Sequence, residues 1–221
     1  MNSSPSHQSI RLAGVPWKQV ELELVVRPGD TLLFLVESDP EGAELLRLLL
    51  GLTVSERGSI TLLGEDLRSL SQRELLRLRS RVGVIPATGG LISNLRLGEN
   101  VGLPLDYHAS PGRELLAKAV LQGLQSAGYR GMPTLKVNEL SPLQRKQALL
   151  ARAMLMEPEL LLCDALTTGL NQSERDEFFT ALLAFQHTAA DRSTLLITSD
   201  RSWADSLPAV RRFDLLTGVA T

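Results

Sequence analysis

The chain is poor in the residues that build special chemistry. A single cysteine, Cys163, occurs in 221 residues, so no internal disulfide can form. Its place in the apolar run Leu160-Leu161-Leu162-Cys163 points to a buried thiol in a reducing compartment rather than to a metal ligand. Three histidines, His7, His108 and His187, lie far apart and offer no cluster for a metal or a base. Neither charge sign is in surplus: 23 Lys+Arg against 25 Asp+Glu leave a net charge of -2. That balance excludes a field able to hold nucleic acid or an anionic bilayer by composition alone. No apolar run reaches the roughly 18 residues a bilayer demands, and the stretch from Leu45 to Leu50 is broken by Arg47. Direct membrane insertion is not expected. What remains, 43% hydrophobic and 22% charged residues, is an ordinary globular composition, long enough for a core without staples. Residues 1–8 are Ser-rich and polar and read as a flexible tail, leaving 9–221 as one domain.

The patterning alternates strands and helices. Val20 to Val26 alternates polar and apolar as a half-buried strand does, and Pro28-Gly29-Asp30 turns into the apolar strand Thr31 to Val36. Asp39-Pro40-Glu41 opens a helix with Asp39 as the expected N-cap and Pro40 at the first helical position, closing at Gly51. Ser59 to Leu63 and Val82 to Ile85 read as strands. Ser71-Gln72-Arg73-Glu74 is a capping box starting a basic helix that ends near Arg81. Its residues Arg73, Arg77, Arg79 and Arg81 are expected to be solvated rather than to bind nucleic acid. Residues 86–105 are rich in Gly, Asn and Pro and carry no periodicity, and a helix follows from Gly112 to Ala127. Ser141-Pro142-Leu143-Gln144 is a second capping box, heading an amphipathic helix to Met156. Two short apolar strands, Leu160 to Cys163 and Thr194 to Thr198, flank a helix from Ser173 to about His187. The order predicts an α/β core of mostly parallel strands with N-terminal antiparallel strands and a helical subdomain inserted near 87–155.

Five segments in order carry a resemblance to a known family. They are Ala43 to Leu52, Glu99-Asn100-Val101, Leu140-Ser141 with Gln144-Arg145, Leu149 to Met154, and Pro158 to Asp164. Together they resemble the ATP-binding subunits of ABC transporters, from Ile10 to about Val219. The fold implied is the P-loop NTPase-like nucleotide-binding domain. The runs Gly89 to Leu95 and Asn100 to Leu105 look most like the subgroup that powers MCE-type bacterial lipid transport.

The resemblance implies ATP and magnesium as cofactors, yet the residues at the matching positions depart from the family pattern. A phosphate loop needs glycines for close backbone approach, a lysine for the terminal phosphates and a hydroxyl for magnesium. The matching stretch is Val36-Glu37-Ser38-Asp39-Pro40-Glu41-Gly42-Ala43-Glu44, with Gly42 at the lysine position and Ala43 at the hydroxyl position. Pro40 has no N–H to offer. Glu37, Asp39, Glu41 and Glu44 bring carboxylates to a site for a polyanion, and two like charges ~4 Å apart repel by about 4 kcal/mol at an effective dielectric of about 20. The acidic residues therefore read as replacing the phosphate at the helix start. The glutamine that senses magnesium matches Ala87, the catalytic glutamate Ala165, the dimer-loop aspartate Asn171 and the switch histidine Ser199. The signature matches Ser141, Pro142, Leu143 and Gln144, where Pro142 removes a donor and Leu143 adds bulk. Asp164 persists at the Walker B position and reads as a residual polar cap, not a metal ligand. Trp17, near the place of the adenine-stacking aromatic, is expected to pack in the core.

The resulting expectation is a pseudo-ATPase: no catalytic residue, no cofactor and no metal, on a fold that docks to a membrane permease. Resemblance places the docking surface at Leu91, Asn94, Leu95 and Leu103, and the protein in the cytoplasm, peripheral on the inner face of the bacterial cytoplasmic membrane. A homodimer, or a heterodimer with an active ABC ATPase paralogue that hydrolyses the nucleotide, is the implied assembly. A soluble interaction protein without a transporter is the remaining alternative, and no nucleic-acid partner is expected.

Overall fold

The computed structural model describes residues 8–207, 210–215, 217 and 219–220. Residues 1–7, most of the expected tail, lie outside the described residues. In chain order the strands are β1 Ile10–Trp17, β2 Val20–Val26, β3 Thr31–Leu35, β4 Ser59–Leu62, β5 Glu65–Asp66, β6 Val82–Ile85, β7 Leu160–Asp164, β8 Ser193–Thr198, β9 Arg211–Asp214 and β10 Val219–Ala220. The helices are α1 Asp39–Leu49, α2 Gln72–Arg79, α3 Leu97–Ala109, α4 Arg113–Ser126, α5 Pro142–Met154, α6 Gln172–Gln186 and α7 Arg201–Asp205.

Two sheets result. The larger has the order β10-β9-β3-β8-β7-β6, parallel from β9 to β6 with β10 antiparallel at one edge. The smaller, β2-β1-β4-β5, is antiparallel throughout. Because strand side chains alternate, the parallel strands send Leu33, Leu35, Leu161, Cys163 and Leu196 into a cluster with the helices α3–α6. Leu32, Phe34, Leu160, Leu162, Leu195 and Ile197 go into a second cluster shared with α1 and the antiparallel sheet. A sheet covered on both faces favours apolar residues on successive positions, which is why β3, β7 and β8 carry the runs Leu32 to Leu35, Leu160 to Cys163 and Leu195 to Ile197 instead of alternation.

The antiparallel sheet contains one irregularity with consequences. β1 and β2 meet in a two-residue turn at Lys18-Gln19, where Lys18 has φ +50°, the left-handed backbone that such tight hairpins require. The register shifts between Leu12 and Val15, and this bulge inserts one extra residue. The buried positions therefore pass from Ile10 and Leu12 to Val15 and Trp17. Without the bulge, Trp17 would face outward.

Two helices differ from expectation. Residues 97–109, patterned like a loop, form α3 in spite of Gly98, Gly102 and Pro104. Its stability is tertiary: Leu97, Asn100, Val101 and Gly102 are buried, and a Cβ on Gly102 would lie 3.0 Å from Val120 of α4. Glycine here lets α3 and α4 approach, at a propensity cost that the packing offsets. The basic helix α2 ends at Arg79, and only part of its arginine face is solvated. Arg73 and Arg77 are exposed. Arg79 instead donates to the carbonyls of Leu50 and Gly51, and Arg81 bridges Glu65 and Glu159. Among the described residues no helix is long and apolar enough to cross a membrane.

Leu162, fully buried between the parallel sheet and its second cluster, tests this layering. Leu162→Ala is expected to destabilise the fold by about 2–5 kcal/mol. Leu76→Ala on the exposed side of α2 should stay within about 0.5 kcal/mol. Urea denaturation followed by circular dichroism measures both.

Candidate functional site

In an open α/β sheet the space beyond the carboxyl ends of the parallel strands is where ligands bind. Here that edge collects residues 37–41 after β3, Ala87 after β6, Asp164 at the end of β7 and Ser199-Asp200 after β8. Topology brings the residues matched to the phosphate loop, Ala87, Asp164 and Ser199 to this edge, while the signature positions 141–144 belong to the start of α5.

The start of α1 is built differently from the expectation. Ser38, not Asp39, is the N-cap, and it makes no side-chain cap bond; Asp39 is already helical and Pro40 occupies the second position. Asp39 is unavailable for capping because its carboxylate is drawn sideways: the Ser199 hydroxyl donates to it at 2.6 Å and the Thr168 hydroxyl at 3.5 Å. No side chain caps α1; Glu41 instead fastens the loop ahead of it. Its Oε2 accepts the Glu37 N–H at 2.7 Å, and its Oε1 accepts the Trp17 indole N–H at 2.9 Å and lies 3.2 Å from the Lys18 ammonium. Glu37 is exposed, and its carboxylate takes the other side of Lys18 at 2.9 Å. Burial works against a charged Glu41, but the indole, the amide and the ammonium outweigh it and hold the carboxyl below its ordinary range. Trp17 is 6% exposed, so it packs, with its one polar atom used.

Gly42 sits directly against Asp164. A Cβ at Gly42 would lie 2.5 Å from Asp164 Oδ1 and 3.0 Å from Ile197, so the helix sets its bare Cα against the carboxyl, and a side chain there would require Asp164 to shift. Ala43 is half-buried, whereas Pro40 and Glu44 are exposed. Asp164 is 1% exposed, and its Oδ1 has no hydrogen-bond partner among the described residues. Burial, then the nearby Asp39, push its carboxyl up to about 6, against the pull of Lys146 and of the backbone N–H groups of Ala87 and Ala165. Lys146 is buried and donates to the Ala165 carbonyl at 2.8 Å. Burial lowers its pKa while Asp164, Cys163 and Asp39 oppose the change. Asp164 is therefore no exposed cap of its strand. It is an interior acid between a helix and a lysine.

The remaining positions are engaged locally. Ser141 and Gln144 form the reciprocal capping box of α5 at 3.2 and 2.9 Å, with Pro142 at the first helical position and Leu143 half-buried. Asn171 caps α6 in the same way with Glu174. Ala165 is buried with φ +46°. Arg175 pairs with Asp200 at 2.8 Å beside Ser199.

The expected docking residues separate into two kinds. Leu91 packs against the helical-side cluster, and Leu95 is half-buried, while Asn94 and Leu103 are exposed. The loop that carries the first three is shaped by buried Asn100, which accepts the Ile92 N–H at 2.6 Å and donates to the Ile92 carbonyl at 3.0 Å. Tyr107, Leu115, Leu121 and Met132 add exposed apolar surface to the helical group. Sequence reasoning missed Lys18 and Lys146. The signal for Lys146 was present, a charge among the apolar positions of the amphipathic α5. Lys18 became visible only through the turn.

The sequence pattern of the family described as ABC transporter matches residues 43–168. A probable ribonucleotide transport ATP-binding protein of Mycobacterium leprae is 30% identical over 87% of this chain and 54% of its own length. The intermembrane phospholipid transport system ATP-binding protein MlaF of Haemophilus influenzae is 33% identical over 67% of this chain and 56% of its own. The chain spans about half the length of these curated relatives. Among solved structures, a dimeric bacterial ABC transporter cassette superposes with a TM-score of 0.80 at 20% identity, covering 93% of this chain and 94% of that one. CbiO1 from Clostridium perfringens, part of an ABC transporter complex, gives 0.80 at 16% identity, covering 94% and 84%. At such identities the structural likeness establishes the fold.

The raised Asp164 pKa fixes the sign of a pH effect. With a folded value of about 6 against an ordinary 3.8, the folded state holds an extra proton in between. Stability from this group is therefore greatest at the acid side of that window and is lost as pH rises through about 6. Asp164→Asn keeps the shape and removes the titration. It is expected to raise the denaturation midpoint at about pH 8 and to flatten its change between about pH 7 and about pH 5. A variant with the wild-type profile would place the titration elsewhere.

Proposed function

Since this chain belongs to the ABC transporter family, we propose that it is a cassette subunit whose nucleotide site has been given over to internal contacts, and that it docks on a membrane permease as a structural or regulatory pseudo-ATPase. The observation that carries the reading is the pairing of Gly42 with Asp164: the position that would supply the phosphate-binding lysine has no side chain, and its Cα packs against the Asp164 carboxyl, which would have to move for one to enter. Mg-ATP does not fit the residues around it. Ala43 offers no hydroxyl, Pro40 no N–H, and the Glu37 N–H is occupied by the Glu41 carboxylate. Glu37 and Asp39 bring negative charge to the place a polyanion would take, with like charges repelling it.

Catalysis lacks its usual actors under the same reading. Ala165 cannot act as a base on water and Ser199 cannot serve as an imidazole, its hydroxyl being donated to Asp39. The Ser141 hydroxyl accepts the Gln144 N–H of its own helix and keeps its proton to donate, so what favours docking over a shared catalytic role is Pro142, which has no N–H to offer, and the bulk of Leu143 beside it. The phospholipid-transport relative supports lipid transport as the process served, with the protein peripheral on the cytoplasmic face of a bacterial membrane. Asn94 and Leu103, exposed beside the loop that Asn100 holds, offer contacts to the permease.

Titration calorimetry with Mg-ATP is expected to show no binding. A dissociation constant below about 100 μM, near −5.5 kcal/mol, would overturn the pseudo-ATPase reading. Docking is read separately by membrane fractionation from the native host: Leu103→Glu should release the protein, and Arg73→Glu on the solvated side of α2 should not. Equal release by both, or a wild type found only in the soluble fraction, would remove the permease from the proposal.

A further inference from the structure

Glu41 is the anionic side chain of α1 that is almost fully enclosed, at 5% exposure, and the groups around it come from separate parts of the fold. The Trp17 indole N–H at 2.9 Å and the Lys18 ammonium at 3.2 Å belong to the β1–β2 hairpin of the antiparallel sheet. The Glu37 N–H at 2.7 Å belongs to the loop between β3 and α1. Holding the loop before α1 needs only the last of these. The hairpin contributes two more, and both depend on irregular backbone: the β1 bulge turns Trp17 inward, and Lys18 sits at φ +50°, a conformation costly for a residue with a Cβ. A backbone amide, an indole N–H and an ammonium converging on one buried point are the donor set that recognises an oxyanion.

We propose that these three donors form an oxyanion cradle that the chain fills from within, Glu41 being a covalently attached ligand that fastens the antiparallel sheet to the core. The inference rests on the reading that this face does not hold nucleotide, and it extends that reading: the site is occupied, and its occupant is permanent. The chemical class that fits the cradle once Glu41 is cut back is a small oxyanion, phosphate or a carboxylate such as acetate. Glu37 remains on the far side of Lys18 at 2.9 Å, so truncation of Glu41 leaves the ammonium in place instead of releasing it.

The test uses the full chain labelled with nitrogen-15, in which the indole resonance of Trp17 is identified by its loss in Trp17→Phe. Glu41→Ala is expected to lower the thermal midpoint and to move that resonance upfield. Added sodium phosphate or acetate should reverse both changes saturably, whereas sodium chloride at equal ionic strength should not. The wild type should respond to none of them. Glu41→Gln should move the resonance but resist rescue, because the amide still fills the space. An unmoved indole resonance in Glu41→Ala, or a response to chloride equal to that to phosphate and acetate, overturns the proposal. Should Glu41→Ala fail to fold, Glu41→Gln decides. The Glu41 carboxyl is held below its ordinary range, so its contribution to stability is lost as pH falls: a moved resonance with a smaller acid loss of stability than in the wild type supports the cradle, and an unmoved resonance refutes it. Binding of Mg-ATP by the wild type would defeat the functional reading without touching these outcomes.

Discussion

Burial of the parallel sheet on both faces is the constraint from which the rest of this structure follows. With Leu33, Leu161 and Leu196 committed to one cluster and Leu32, Leu162 and Leu195 to the other, β3, β7 and β8 have no solvent-facing side. Polar residues in the middle of these strands would need partners that the packed layers do not supply. Chemistry is thereby confined to the strand ends, where Asp164 and the residues after β3 and β8 collect. The inserted helices and the antiparallel sheet are the two covers this arrangement demands. The fold thus decides where a site can be before any residue decides what it does.

The parts of the fold legible in the sequence were those governed by local rules. The apolar runs gave β3, β6, β7 and β8 to within a residue or so, and the serine capping boxes located α2 and α5, because caps act through bonds that span only three residues. What escaped was nonlocal. α3 carries Gly98, Gly102 and Pro104, each unfavourable to an isolated helix, and exists because α4 and α5 accept its small-residue face. α7 and β9 were missed as well, being too short to set up a period.

The site divides along the same line. Whereas the signature positions 141–144 head α5, the positions that follow the parallel strands gather at one edge, since spacing along the chain and strand order together determine that. Their bonding could not be read. Asp39 looked like a cap and bonds Ser199, 160 residues away. Glu41 looked like one acid among several and proves to be the enclosed one. Trp17 was expected in the core, but the bulge that points it there leaves no periodicity to read, and the carboxylate that takes its N–H lies 24 residues away. Charge counts describe a site's sign, and only the packing distinguishes an acid facing water from one facing a tryptophan.

The contact between Gly42 and Asp164 bears on how such a site could change over generations. Any side chain introduced at position 42 meets a buried carboxyl oxygen first, so the order of substitutions matters: α1 or Asp164 must yield before a larger residue can be admitted. Positions 42 and 164 are therefore coupled, and variants at either one have to be compared as a pair.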